Sequence, residues 1–283
     1  MNVRTEIAYG MFSDGCTALS WKAGDASFLA QNWDWEHEQK ENLILLRIHH
    51  SSKPVIHMIT EAGIIGKIGL NSAGVGVCLN AIRARGVDFN KLPCHLSLRA
   101  ALESPSRVEA VLTLGRAGVA SACHILIADA TGGMGLECSS QDICKLPMRD
   151  GKVLHTNHFV VDHAGIEDKM QLKDSPFRIG RIHELVSAAE TEDPVPKADR
   201  IEKLLEDEMH YPTAICRAET DDSTVATLFS IVMDLKAKTA KVRLGRPCEP
   251  EDTLFLCPTE PTPSNTNGHT NVKGNGHADG VSL

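Results

Sequence analysis

The sequence predicts an α+β fold in which two mostly antiparallel sheets stack face to face and helices cover each outer face. Three features lead there. Strand-length apolar runs arrive in pairs with short polar turns between them, the apolar period switches to that of a helix in two separate places, and strands resume after each helical block. The chain has 283 residues, 42% of them hydrophobic, which is enough for one large core or two small ones.

The elements follow in order. TALSWKA and SFLAQNWDW flank Ala23-Gly24-Asp25 and read as a hairpin. NLILLRIHH and PVIHMIT, separated by Ser51-Ser52-Lys53-Pro54, form a second. IIGKIGLNSAGVGVCLNAI supplies a third strand pair around the tight turn Asn71-Ser72-Ala73-Gly74. It is not a dinucleotide fingerprint, because G-x-G-x-x-G does not occur. HLSLRAALES and SRVEAVLTLGRAG read as helices; Ser106 with Glu109 makes a capping box, and Gly115 and Gly118 punctuate the end. Strands return at CHILIADA, GMGLECSS and KVLHTNHFV. DSPFRIGRIHELVSAAE opens with an N-cap signal and Pro176, and Ile179, Ile182, Leu185 and Val186 keep helical spacing. KADRIEKLLEDEM is a second amphipathic helix, and TVATLFSIVMDLK and AKVRLG are the last strands. From about Pro258 the chain is polar and rich in Pro, Gly and Asn, a composition that predicts disorder.

Composition excludes several classes. The formal net charge is −8 and no long basic cluster occurs, so a nucleic-acid partner is not expected. No apolar run approaches the ~20 residues of a membrane span, and MNVRTEIAYG lacks the apolar stretch of a secretory signal. A cytoplasmic location is the expectation; the final VSL is a poor match to the peroxisomal S-K-L. The nine cysteines form no C-x-x-C pair, which favours a reduced compartment and small core residues over a zinc ribbon. His155 and His158 in HTNH have metal-like spacing, but at a strand end that spacing is weak evidence, and no metal or bound cofactor is expected.

The stretch FSDGCTALSW places Cys16 directly after Asp-Gly and directly before a strand. Two readings stand. The plain one is a buried cysteine after an Asp-Gly turn. The other makes Cys16 the first residue of a cut chain. A free α-amino group has a pKa of ~7.7–8.0 and a thiol ~8.5, so one residue would then supply both base and nucleophile. Gly15 suits that cut, because without a Cβ it leaves its carbonyl open to the neighbouring thiol.

Further along, DGCTALSW, AQNWDW, GLNSAGVGVCLNAIR, HTNHF, SPFR and TVATLFSIVMDL occur in an order that resembles the isopenicillin N acyltransferase family. These acyl-coenzyme A:6-aminopenicillanic acid acyltransferases are self-cleaving N-terminal-nucleophile (Ntn) enzymes, and the resemblance runs from about Asp14 to Cys257. It implies a four-layer αββα Ntn-hydrolase sandwich, with a leader of residues 1–15 removed by self-cleavage, a catalytic domain of residues 16–257 and a tail of residues 258–283. It also implies cleavage between Gly15 and Cys16, with Cys16 as nucleophile and Asp34 as the acid near its amine. Asn80 matches an amide that stabilises the tetrahedral oxyanion, Asn157 the second active-site amide near the amine, and Arg217 a late arginine giving electrostatic support.

Plainer readings stay open beside each of these. Asp34 can end a strand, Asn80 can be a buried turn residue and Asn157 can cap a loop; Trp33 and Trp35 read as core or pocket wall. Arg83 and Arg85 read first as a solvated turn and second as a contact for the phosphates of coenzyme A. The chain also departs from its relatives. Bile-salt hydrolases and penicillin V acylases usually carry arginine where Gln31 stands, many members have a hydroxyl residue at Ala18, and penicillin-pathway members have a much longer segment before the cysteine than the fifteen residues here.

The implied reaction passes an acyl group from acyl-coenzyme A, a co-substrate, to a small-molecule amine, in secondary metabolism such as β-lactam or related peptide biosynthesis. Water in place of the amine would make the protein an amidohydrolase of small amides. An uncut chain would make it a pseudoenzyme that acts by binding. The two cleaved fragments are themselves candidates for association. A papain-like Cys/His pair is a weaker rival, since Cys16 precedes a strand rather than a helix.

Overall fold

The computed structural model describes residues 1–7, 15–166 and 172–259. Residues 8–14 of the expected leader and the tail from 260 onward, expected to be disordered, lie outside the described residues.

Two antiparallel sheets form the centre. The first contains β1 (Gly15–Ala23), β2 (Ala26–Glu36), β10 (Lys152–His155), β11 (Val225–Asp234), β12 (Thr239–Leu244) and β13 (Asp252–Leu256), in the order β10-β1-β2-β11-β12-β13. The second runs in chain order through β3 (Leu43–His50), β4 (Lys53–Glu61), β5 (Ile68–Asn71), β6 (Gly76–Ala81), β7 (Cys123–Asp129), β8 (Gly132–Cys138) and β9 (Ile143–Pro147). The helices α2 (Cys94–Leu102) and α3 (Arg107–Ala117) cover the second sheet, and α4 (Ser175–Glu192) and α5 (Ala198–Leu205) cover the first. This is the αββα sandwich that the sequence predicts.

The three hairpins form as read: β1 pairs with β2, β3 with β4 and β5 with β6. Ser106 caps α3, its hydroxyl accepting the Glu109 amide at 3.2 Å. Cys16, Ala18, Trp33 and Trp35 join the core between the sheets, while Leu19, Trp21, Phe28 and Ala30 turn to the opposite face, under α4 and α5. That division is the two-residue period of a strand buried on both faces.

Four features depart from the sequence reading. β9 and β13 lie outside the strands that the sequence predicts; both are partly exposed edge strands, where half the residues lack the apolar signal of a core strand. The strand KVLHTNHFV stops at His155, because Thr156, Asn157 and His158 turn aside to bond Ser175 at the start of α4. The second amphipathic helix ends at Leu205. A short helix, α1 (Arg4–Ile7), lies near the N-terminus.

Candidate active site

Register places the proposed scissile bond. Gly15 lies opposite Asp34 and Cys16 opposite Trp33 across the β1–β2 ladder. The Cys16 side chain is fully buried between the sheets. It faces Cys78 on β6, whose thiol burial and the adjacent Cys16 push well up. Gly15 points the other way and packs on the acidic group itself. A Cβ there would come within 2.8 Å of Asp34 Oδ2 and 3.0 Å of Arg217 Nε. Glycine is required at this position by close approach, not by a left-handed backbone.

A bulge in β11 sets the other side of Asp34. Thr227 pairs with Asp34 and Phe229 with Trp33, so Leu228 is the extra residue. The Thr227 hydroxyl donates to Asp34 Oδ1 at 2.7 Å and accepts the Arg217 amide at 2.9 Å. Arg217 Nε stands 3.5 Å from Asp34 Oδ2, and Arg217 Nη2 donates to Asp174. Burial pushes the Asp34 carboxyl up, against the pull of the Arg217 and Arg178 cations and the Thr227 hydroxyl. An acid held above its ordinary range, beside the Gly15–Cys16 peptide, is suited to exchanging a proton there.

Asn157 and Arg178 hold the far side of Cys16. The Cys16 amide donates to Asn157 Oδ1 at 2.8 Å, and Asn157 Nδ2 donates to the Ala81 carbonyl at 3.0 Å on the second sheet. Arg178 is fully buried at the first turns of α4. Its guanidinium donates to the Cys16 carbonyl at 2.7 Å, the Thr17 hydroxyl at 3.2 Å, Asn157 Oδ1 at 2.9 Å and Asp174 Oδ2 at 2.8 Å. The planar fork spans four acceptors in one geometry, which an ammonium does not reproduce.

Asn80 stands apart from this group. It shares with Cys78 the face of β6 that meets Cys16. Among the described residues its side chain has one hydrogen bond, from His124: Nδ1 donates to Asn80 Oδ1 at 2.9 Å, while Asn80 Nδ2 has no partner. Burial and the neighbouring His155 push the His124 imidazole well down, so that it stays neutral. A buried amide N–H without an acceptor costs about 1–3 kcal/mol, so this donor is suited to a ligand oxygen. Gln31 does not leave a gap where relatives have arginine. Its amide accepts from Leu79 N at 3.0 Å and donates to Leu79 O, tying β2 to β6 one residue before Asn80.

The HTNH histidines serve the scaffold. His155 stacks on His124 with ring centroids 3.6 Å apart and pairs with Glu137 at 2.7 Å. Glu137 also accepts the amides of Val160 and Val161 at 2.7 and 3.2 Å, and so anchors the segment that follows Asn157. His158 Nδ1 is engaged by Ser175 at 2.8 Å. Arg83 is half-buried and Arg85 exposed, and Arg83 Nε has no partner.

The first seven residues lie on the opposite wall. Arg4 pairs with Glu61 at 2.7 Å and sits over the Trp35 ring at 5.3 Å. The fully buried Lys67 stands 3.3 Å from Glu61 and 4.2 Å above the centre of the Trp33 ring. Burial pushes the Glu61 carboxyl up, but the facing Lys67 and Arg4 outweigh it and hold the pKa at about 2. A depressed acid stabilises the fold above its unfolded pKa and loses that contribution as pH falls toward its folded pKa. For Glu61 the window runs from 4.5 down to about 2, a loss of about 3 kcal/mol. Glu61→Gln is therefore expected to flatten the acid limb of stability against pH in that window. Urea midpoints of the uncut chain measure it, and an unchanged slope contradicts the assignment.

The structure thus gathers Gly15, Cys16, Asp34, Asn157 and Arg217 around one peptide bond, with Asn80 reached through the β6 face. Sequence reasoning missed Arg178, Thr227, Asp174 and Glu137. A signal for Arg178 was present: it occupies an apolar-face position of α4, in line with Ile182, Val186 and Ala189, where a cation has to be satisfied internally. Thr227 offered none, because the bulge that aims it exists only in the β11–β2 pairing.

Comparison with known proteins shows the family and the fold. The family model for acyl-coenzyme A:6-aminopenicillanic acid acyl-transferase matches residues 21–249. The chain is 42% identical over 262 residues to the acyl-coenzyme A:6-aminopenicillanic-acid-acyltransferase 40 kDa form of Emericella nidulans, covering 90% of this chain and 72% of the relative. A variant of the conjugated bile acid hydrolase of Clostridium perfringens is similar in fold, with a TM-score of 0.63 at 13% identity, covering 86% of this chain and 92% of that one. Penicillin V acylase from Agrobacterium tumefaciens superposes with a TM-score of 0.56 at 13% identity, over 86% of each chain. The Caenorhabditis elegans ortholog of N-acylethanolamine-hydrolyzing acid amidase has a TM-score of 0.55 at 17% identity, covering 85% of this chain and all of that one.

Proposed function

Because the chain belongs to the acyl-coenzyme A:6-aminopenicillanic acid acyltransferase family, we propose that it cuts itself between Gly15 and Cys16 and then transfers an acyl group from acyl-coenzyme A to an amine. In the first step Cys16 Sγ attacks the Gly15 carbonyl. The C–N bond breaks, a thioester forms and the nitrogen takes up the thiol proton. Water then hydrolyses the thioester, releasing residues 1–15 as a free acid and leaving Cys16 with a free amine and thiol. In turnover that amine takes the thiol proton, the thiolate displaces coenzyme A from its thioester, and the acyl group rests on Cys16 as a new thioester. An amine acceptor displaces it as the amide and the thiol is regenerated. Exchange of one thioester for another is nearly isoenergetic, which keeps the acyl group activated.

The observation that carries this reading is the pair of contacts on the scissile peptide. Its N–H is held by Asn157 Oδ1 at 2.8 Å, while Gly15 on its carbonyl side packs on Asp34 and Arg217. After the cut, Asn157, fixed by Arg178, would orient the new amine, and Asp34 with Arg217 would set its protonation. Asn80 Nδ2 is the buried donor assigned to the oxyanion. The family and the 42% identical relative support acyl-coenzyme A and an amine as substrates.

Intact mass after expression tests the first half. The wild-type chain is expected to lose residues 1–15, and Cys16→Ala to stay whole; a whole wild-type chain that is active defeats the proposal. Acyl-coenzyme A supplied with and without amine acceptors tests the second half. N-acyl product is expected, and free acid alone with every acceptor makes the protein a hydrolase.

A further inference from the structure

We propose that Cys216 and Cys248 form a modification site, a thiol pair that a small-molecule disulfide of the glutathione class closes into an internal disulfide, bracing the segment that carries Arg217. The site does not depend on self-cleavage. The two cysteines are 32 positions apart, so their spacing hides the pair. In the folded chain their sulfurs stand 3.0 Å apart. A disulfide bond is about 2.0 Å long, so closure needs an approach of about 1 Å. Cys216 is fully buried, whereas Cys248 is partly exposed in the turn between β12 and β13. One sulfur is therefore open to a reagent from solvent, and the other stands directly behind it. Cys94, Cys123 and Cys138 also cluster through their thiols, but all three are buried beyond the reach of such a reagent.

The surroundings favour a disulfide over a metal. Burial pushes both thiols up, and the Arg246 guanidinium beside them pulls the other way. Arg246 thereby favours the thiolate, the form that attacks a disulfide. Glu208 is near enough to serve as a third metal ligand, but its carboxylate pairs with Arg246. A guanidinium already placed there repels a metal cation. In the exchange, the Cys248 thiolate attacks one sulfur of glutathione disulfide, whose S–S bond breaks and releases one glutathione thiolate. Cys216 Sγ then attacks Cys248 Sγ, the second glutathione departs with the Cys216 proton, and a new S–S bond joins the two cysteines. The protein loses two electrons and two protons, and the two glutathiones gain them.

Position gives the bond its effect. The residues on either side of Cys216 are held by the first sheet: the Ile215 carbonyl accepts from Asn32 Nδ2 at 2.9 Å, and the Arg217 amide donates to the Thr227 hydroxyl at 2.9 Å. Near Cys248, the Gly245 amide donates at 2.8 Å to the carbonyl of Leu228, the extra residue of the β11 bulge. A bond between Cys216 and Cys248 thus closes a ring around the bulge that aims Thr227 at Asp34. Arg217 faces the same carboxylate, so the disulfide braces both groups that hold Asp34 against Gly15.

The test uses the full chain as Cys16→Ala, which removes the thiol proposed as nucleophile and leaves eight of the nine cysteines. The protein is equilibrated with excess glutathione disulfide, alkylated in urea and mapped by mass spectrometry. Two thiols are expected to escape alkylation, in one pair of peptides that joins Cys216 to Cys248 and that dithiothreitol separates. The urea midpoint is expected to rise by about 1 M on oxidation, the scale for closing a loop of about thirty residues. Cys248→Ser in the same background is expected to give neither the linked peptides nor the shift. A lasting glutathione adduct on Cys248, a link from either cysteine to the exposed Cys257, or alkylation of all eight thiols overturns the inference. So does a linked chain whose midpoint matches that of the reduced one, because the bond then restrains nothing.

Discussion

Arg178→Met is expected to destabilise the uncut chain by about 3–5 kcal/mol and to stop release of the leader. Arg178 is fully buried, and its guanidinium serves the Cys16 carbonyl, the Thr17 hydroxyl, Asn157 and Asp174 at once. Methionine approximates the volume of the stem but leaves the Cys16 carbonyl without this donor and Asp174 with Arg217 as its remaining guanidinium partner. The cost is that of breaking a buried pair, not the net worth of the pair. Arg178→Lys keeps the charge but not the fork, so it is expected to recover part of the stability and little of the cleavage. Urea denaturation measures the first effect and intact mass the second. A methionine variant with a wild-type midpoint and normal cutting would remove Arg178 from the mechanism.

The second large effect belongs to the residue before the nucleophile. Gly15→Ala is expected to slow self-cleavage by about 100-fold or more, the scale of rate loss for an ångström of misplacement at a reacting centre. The added methyl would sit 2.8 Å from Asp34 Oδ2 and 3.0 Å from Arg217 Nε, inside normal contact distance. Either the scissile peptide shifts away from the acid or the acid leaves its bond with Thr227. A time course of intact mass reads the rate, and far-ultraviolet circular dichroism checks that the variant folds. Cutting at the wild-type rate would show that the Asp34–Gly15 packing is incidental to the cleavage.

Much of the fold was legible because its cause is local. Hairpins at Ala23-Gly24-Asp25 and Ser51–Pro54, the Ser106 cap and the apolar stripe of α4 each depend on residues a few positions apart. The edge strands β9 and β13 were not legible, since half of each faces solvent and its pairing comes from a neighbour already in place. The strand pattern of KVLHTNHFV runs past the real strand because Thr156 to His158 are drawn off by Ser175, a partner nearly twenty residues ahead.

The same division runs through the site. Spacing and residue type alone determined which strand carries Cys16, that Gly15 precedes it without a Cβ, and that Asp34 lies on the returning strand of the same hairpin. A hairpin has few registers, so a local signal is sufficient there. What only the tertiary structure decided is which far groups converge: Arg178 from one helix, Thr227 from a bulge, Glu137 from the other sheet, and an N-terminal segment whose Arg4 meets Glu61 and whose Glu6 accepts the Cys94 amide. Those contacts span from dozens to nearly two hundred residues along the chain. Burial without water then demands a partner for every charge, and only the packed sheets determine which partner arrives.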